Sequence, residues 1–323
     1  MEPAAAADGA SDEPVHKGRT NSILLPILAV LLAYLLYRYL RPRLRGLRLD
    51  RLPFRVPGCL RRRGNATRST LLPYFAPIAD EAAAAARRIG AVSHPNLVPL
   101  RAVYVGPRGE KLLVHPFYAA GSLHRFLQEG IADSQRWSLI CKLSVCIAKG
   151  LDHLHTGMEK PIIHGNLKTS NVLLDASYEC RVSDYGLYLL LNTGGAHEML
   201  EASAAQGYKA PELVKMRDAT RETDVYSLGV VLLEMLAQKE PAGGDDRAPS
   251  SRDIFLPASF KNLVLERKIS DAFNSDLVRQ SRKSGNERKL NAFFELATAC
   301  CSPSPSLRPN TKEILRRLEE IAK

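Results

Sequence analysis

The segment 135–155, QRWSLICKLSVCIAKGLDHLH, most constrains what this chain can fold into. Trp137, Ile140, Leu143, Ile147 and Leu151 recur at spacings of three and four, which places them on one face of a helix. A helix with so broad an apolar stripe must be covered by other elements. The pattern before it is mixed. HPNLVPLRAVYV and EKLLVHPFY read as two strands around the turn GPRG. DEAAAAARRIGAV reads as a helix, with Asp80 and Glu81 in its first turn and alanines of high helix propensity behind them. GSLHRFLQEG reads as a short helix.

After residue 155 the pattern is mostly helical. Short strands are predicted around IIHGNLKTSNVLLD and YECRVSDYGL, and residues 187–209 show no strong periodicity. Helical signals return in 224–238, around 257–284, in 287–299 and in 311–322, with the loop EPAGGDDRAPSS among them. In 224–238, Leu228, Val231, Leu232 and Met235 form an apolar face. A few strands with one helix, then mostly helices, predict an α+β fold. The 323 residues, 45% of them hydrophobic, leave room for one large domain or two modest ones.

The N-terminal part has a different character. Residues 21–37, NSILLPILAVLLAYLLY, are uncharged. As a helix they span roughly 25 Å, and Arg38 extends that span by snorkelling, with Tyr34, Tyr37 and Tyr39 suited to the interface. Pro26 is tolerable near the start of such a helix. A buried soluble helix and a cleavable signal peptide are the alternatives. The acidic leader, with Glu2, Asp8, Asp12 and Glu13 against Lys17 and Arg19, argues against the signal peptide. Eleven arginines and the single acid Asp50 lie between Arg38 and Arg68, within a formal net charge of +11. The positive-inside rule therefore puts residues from Arg38 onward in the cytoplasm and the leader outside. Because the basic run follows an apolar segment, anionic lipid is its expected partner, ahead of nucleic acid. Setting topology alone is the simpler reading of the same arginines.

The cysteines Cys59, Cys141, Cys146, Cys180, Cys300 and Cys301 show no CxxC pairing. That argues against a zinc module and against a disulfide framework, and it suits a reducing compartment.

Seven stretches occur in a fixed order: HPNLVPLRA, GSLHRFL, IIHGNLKTSNVLLD, SDYGL, GYKAPEL, TDVYSLGVVLLEML and RPNTKEILRRLEEI. Together, over about residues 80–322, they resemble the protein-kinase domain of the plant leucine-rich-repeat receptor-like kinases. The likeness is greatest to atypical members with an HGNLK catalytic loop; no repeat ectodomain is expected here. The resemblance implies a protein-kinase-like fold with a truncated or degraded N-terminal lobe and a helix-rich C-terminal lobe, preceded by one transmembrane helix. The organisation it implies is a leader (1–20), a transmembrane helix (21–40), a basic juxtamembrane linker (41–79) and a kinase-like domain (80–323). STLLPYF (69–75) is the candidate remnant strand in the linker.

The resemblance assigns roles residue by residue. His164 matches the histidine that holds the catalytic loop, and Gly165 stands where an arginine pairs with a phosphorylated activation segment. Asn166 replaces the aspartate that accepts or orients the substrate hydroxyl proton; a neutral amide cannot take up that proton. Lys168 matches the lysine that neutralises the transferring phosphoryl group. Asn171 and Asp184 match the magnesium ligands, and Tyr185 stands for the usual phenylalanine. Glu212 and Arg308 match a buried structural ion pair, and Asp224 matches the acid that braces the catalytic loop. No glycine-rich phosphate loop occurs between residues 41 and 80, and no strand lysine is found there. The helix position expected to carry the lysine's glutamate partner falls at about Arg87.

Fold-bearing residues are kept and chemistry-bearing ones are lost. The implied function is a membrane-anchored pseudokinase, a scaffold or allosteric partner for membrane-associated signalling proteins or receptor kinases, with no required cofactor. The alternative is a weak or atypical serine/threonine kinase that binds ATP and magnesium. A shortened gene product would explain the missing strands as well. If the first strands are missing, apolar residues above the cleft are left uncovered unless residues 53–78 rebuild a cover.

Overall fold

The computed structural model describes residues 60–62, 65–72, 79–105, 111–129, 136–237 and 275–323. The leader, the 21–40 span and most of the basic run lie outside the described residues. Among the described residues no helix is long and apolar enough to cross a membrane.

The first part of the domain is a four-stranded antiparallel sheet with one helix. Its strands are β1 (Leu60–Arg62), β2 (Asn65–Leu72), β3 (Ala102–Val105) and β4 (Lys111–Pro116), in the order β1-β2-β4-β3. β2 pairs with β4 from Thr67↔Pro116 to Leu72↔Lys111. The end of the basic run therefore supplies sheet strands, and Leu112 and Leu113 of β4 are buried. Helix α1 (Ala79–Gly90) turns Ala85, Ala86 and Ile89 toward the core.

The larger part is helical: α2 (Leu123–Glu129), α3 (Arg136–Thr156), α4 (Thr193–Ala205), α5 (Arg221–Ala237), α6 (Ser275–Lys283), α7 (Glu287–Cys300) and α8 (Thr311–Ala322). A two-stranded ladder of β5 (Val172–Leu174) and β6 (Cys180–Val182) lies beside α3. In α3, Ile140, Leu143, Ile147, Leu151 and Leu154 are all buried, as the three-and-four spacing requires. Gly150 sits where α3 meets the loop before β3. A Cβ there would lie 2.9 Å from the Asn96 carbonyl oxygen, so only glycine permits that approach.

Helix α5 departs from its sequence pattern. The sequence shows one apolar face, yet Tyr226, Val230, Leu233 and Leu236 are as buried as Leu228 and Met235. α3 and α7 both pack on α5, so it has no solvated side and is the spine of the core. Helix α4, within the stretch that lacks periodicity, and strand β1, within the residues read as linker, are elements the sequence did not reveal. The inward positions of α4 are Gly195, Ala196, Leu200 and Ser203, too small and mixed to register as an apolar stripe.

The cysteine reading is corrected at one pair. A disulfide joins Cys146 of α3 to Cys180 of β6. The two are 34 residues apart in sequence, and only the packing of β6 against α3 brings them together. Cys141, Cys300 and Cys301 are free and buried.

One ion pair ties the end of the domain to its middle. Arg308 donates from Nη2 to Glu212 Oε2 at 2.8 Å, from Nη1 to the Glu222 carbonyl at 2.8 Å, and from Nε to the Ser302 carbonyl at 2.9 Å. Its side chain is fully buried. Each nitrogen of the guanidinium thus has an acceptor, which offsets the desolvation of the charge. Two histidines also sit in packed positions. His94 stacks on His153 with ring centroids 4.7 Å apart, and His164 is wholly buried. Burial holds both His94 and His164 below the ordinary imidazole value; for His94 the neighbouring His153 and Lys149 add to it, and for His164 the opposing charge of Asp224 does not overcome it.

Two outcomes are expected. Glu212→Ala strands a buried guanidinium and should cost about 3 kcal/mol of stability, read from urea unfolding. Acid should also weaken the fold. Both histidines have folded-state values below 6.5, so the unfolded chain binds the extra protons. Their contribution is complete above that pH and is lost as the pH falls through it. Urea midpoints at pH 7.5 and 5.5 should fall in that order, and His94→Asn should reduce the difference.

Candidate functional site

The site is built on the loop between α3 and β5, and its shape is set by one carboxylate. Asp224, near the start of α5, accepts hydrogen bonds from His164 N at 2.7 Å and His155 Nε2 at 2.8 Å on one oxygen, and from Gly165 N at 2.8 Å on the other. Gly165 has φ +76°, in the left-handed region that glycine occupies without strain. The Tyr188 ring lies 3.2 Å from where its Cβ would be. His164 Nδ1 accepts from Asn166 N at 3.3 Å, and the His164 carbonyl accepts from Gly186 N at 3.1 Å. The histidine therefore links the two halves of the site.

Asn166 and Asn171 are in direct contact. Asn171 Nδ2 donates to the Asn166 carbonyl at 2.9 Å, which leaves the amide oxygen of Asn171 as its ligating atom. The Asn171 carbonyl accepts from Ser183 N at 2.7 Å and from Ser183 Oγ at 3.0 Å. Those bonds fix the backbone at Ser183, the residue before Asp184. Asp184 has φ +60°, an uncommon backbone for this residue type. Tyr185 is buried, and its hydroxyl donates to the Val98 carbonyl at 2.8 Å. The change from phenylalanine thus adds a bond without a change of place.

The chemistry the site offers is mixed. Asn171 and Asp184 are oxygen donors of the kind a hard divalent cation takes together with phosphate and water, so the residues fit magnesium. Among the described residues no group of three or more His, Cys, Asp or Glu side chains stands ready for a metal. Asn166 Oδ1 is buried and has no hydrogen-bond partner among the described residues. It can accept a bond from a hydroxyl but cannot hold its proton. Lys168 Nζ donates to Gln206 Oε1 at 2.9 Å, just past the end of α4. Burial lowers its affinity for the proton, and Asp184 raises it.

Arg87 needs a correction. It is exposed, while Ala85, Ala86 and Ile89 face the core. Counting back from HPNL misplaced the inward position, because it assumed the wrong helical face. The chemical conclusion stands for another reason: after Glu81, α1 has no acid at all. β2, which lies beside β4, contains Arg68 and no lysine.

Three features were missed in the sequence. Gln206, the partner of Lys168, carries no signature of its own. His115 of β4 is buried, with Nε2 3.9 Å from Asp184 Oδ1. The third is a buried polar knot: Glu234 of α5 accepts from Thr169 Oγ1 at 3.0 Å and from the Tyr208 hydroxyl. Thr169 and Tyr208 are also within 3.0 Å of each other. An acid inside LLEML was the visible clue, since a charge on so apolar a helix needs partners.

The fold and the loop have relatives. The family model for the protein kinase domain matches residues 79–318. The kinase-like protein TMKL1 of Arabidopsis thaliana is 38% identical over 236 residues, 72% of this chain and 35% of that one. RLK902 of the same plant, named as an inactive receptor kinase, is 34% identical over 237 residues, covering 72% and 35%. The solved pseudokinase domain of BIR2, described as an immune regulator of the RLK/Pelle family, superposes with a TM-score of 0.61 at 28% identity, covering 80% of this chain and 75% of that one. The chain spans about a third of the length of these curated relatives. Several relatives are plant receptor-like kinases, some of them named as inactive. With its kinase fold, its HGNLK loop and these matches, this chain belongs to the protein kinase domain family.

Proposed function

We propose that this chain is a membrane-anchored pseudokinase that serves as a scaffold or allosteric partner for membrane-associated signalling proteins, receptor kinases among them. The observation that carries the proposal is Asn166: a buried neutral amide, with no partner on its oxygen among the described residues, occupies the place of the proton acceptor. Three further features support it. Lys168 is held by Gln206. The inward face of α1 is alanine and isoleucine where a carboxylate would orient a strand lysine. The bracing set of Asp224, Glu212, Arg308 and Glu234 is complete, so the lobe keeps a fixed surface without needing chemistry.

The anchor in this proposal is the 21–40 span, with the kinase-like domain in the cytoplasm and the 38–68 arginines against anionic lipid. The BIR2 pseudokinase shows that a fold of this kind serves immune regulation in another protein, which favours a regulatory role here.

A second reading rests on Asn171 and Asp184. If nucleotide binds, these two hold its magnesium, and the metal draws charge off the phosphates. Lys168 would then leave Gln206 to reach the phosphoryl group. Proximity would supply slow transfer, with no side chain at 166 to take the proton.

The readings predict different results with the full-length chain. Phosphotransfer to a general acceptor protein should stay at background. Asn166→Asp should not raise it, because α1 has no carboxylate after Glu81 to orient a strand lysine. Millimolar magnesium-ATP should leave the thermal unfolding midpoint unmoved; binding at a hundred times Kd would add about 2.7 kcal/mol. A saturable rise that disappears in Asp184→Ala would overturn the nucleotide-independent reading and favour the second.

A further inference from the structure

The free thiols among the described residues are poorly placed for exchange chemistry. Burial pushes Cys141 and Cys300 up to about 12, and Cys301 well above the ordinary thiol value. The Cys146–Cys180 disulfide is placed differently. Cys146 lines a surface cavity of about 530 Å³, together with Asn96, Lys142, Lys149, Glu179 and Glu319. Both sulfurs are largely buried, Cys146 at 6% and Cys180 at 1% exposure, but Cys146 alone of the two lines the cavity, so it is the sulfur that an incoming thiol reaches.

The surroundings of Cys146 favour attack and departure of thiolates. Asn96 Nδ2 donates to Cys146 Sγ at 2.9 Å. Lys142 and Lys149, about one turn of α3 to either side, bring ammonium groups to the same cavity, where they pair with Glu179 at 2.7 Å and Glu319 at 3.2 Å. The Asn96 donor at the sulfur stabilises its developing negative charge, while the carboxylates of Glu179 and Glu319 offset the two ammonium groups with which they pair.

The bond also has a strategic position. His164, Asn166, Lys168 and Asn171 all lie between the two cysteines in sequence. It fastens α3 to β6, and Asp184 follows β6 by two residues. Asn96 reinforces the same junction: its carbonyl accepts from Val182 N at 2.9 Å, and its Nδ2 reaches the Cys180 carbonyl at 3.4 Å.

We propose that Cys146–Cys180 is a thiol–disulfide exchange site for a low-molecular-weight thiol of the glutathione type, and that its redox state sets how firmly β6 and Asp184 are held. A thiolate attacks Cys146 Sγ through the cavity. The sulfur–sulfur bond breaks, and Cys180 leaves as a thiolate that takes up a proton. A second thiolate attacks the sulfur of the first on the mixed disulfide. It releases the small disulfide, and Cys146 departs as a thiolate and is protonated. Two electrons pass from two small thiols to the protein. In a reducing compartment a disulfide is transient or sensing, and one reached through a cavity is of the labile kind. The biological sense of the proposal rests on the cytoplasmic placement proposed above; the chemistry does not, nor does it depend on nucleotide.

The test uses the full-length chain in glutathione and glutathione disulfide mixtures, from fully reducing to fully oxidising. Alkylation and peptide mass spectrometry follow the Cys146–Cys180 bond, and amide hydrogen exchange follows residues 178–187. Within that range the bond should pass from formed to broken. In Cys180→Ser, glutathione should be trapped on Cys146. Exchange over 180–186 should be about tenfold faster in the reduced state. A bond that survives excess reduced glutathione, or never forms in excess glutathione disulfide, overturns the proposal. So does glutathione trapped on Cys141, Cys300 or Cys301, or exchange that is equal in both states. If Cys180→Ser does not fold, the titration of the unaltered chain decides alone.

Discussion

The carboxylate of Asp224 is the constraint on which the rest of the site depends. It is buried, yet three donors from two separate segments converge on it. His155 belongs to α3 and His164 and Gly165 to the loop, so one side chain of α5 sets the distance between helix and loop. A buried carboxylate persists only with such a set of donors. Once the loop is held there, Asn171 can meet Asn166, Ser183 can meet Asn171, and Asp184 follows. The arrangement requires no catalytic acid, which explains how Asn166 can stand in it without disturbing the fold.

The same logic separates what has been kept from what has been lost. Glu212 with Arg308, and Glu234 with Thr169 and Tyr208, are buried polar sets in which each member has partners. Such sets tolerate little change, because removing one member strands the others. Asn166 and the inward face of α1 carry no such penalty. Their usual partners are a substrate hydroxyl and a strand lysine, neither needed for folding. In the proposed reading the pattern follows energetics: the buried polar sets that hold the fold are intact, and the departures fall at positions the fold does not need.

Much of the fold was legible. α1, α3, α5, α7 and α8 each announce themselves by apolar spacing or by propensity, and β3 and β4 by their β-rich runs, whereas β1 and most of β2 fall in residues that read as a basic linker. α4 was not legible either, because its inward positions are glycine, alanine and serine as much as leucine. Of the site, the HGNLK and SDYGL stretches could be named from the sequence. Gln206, His115 and the inward face of α1 could not, since each depends on which side of an element turns to the cleft, and a count along the chain leaves that open by one or two residues.

The sequence by itself determined the α+β class and the order of most of the elements. Those follow from residue type and periodicity, which are local. Tertiary structure alone decided that Lys168 meets Gln206, that Arg87 looks outward and that Cys146 meets Cys180. Each of these is a meeting, or a failure to meet, of segments far apart in the chain. Packing around α5 brings such segments together, and no local pattern records it.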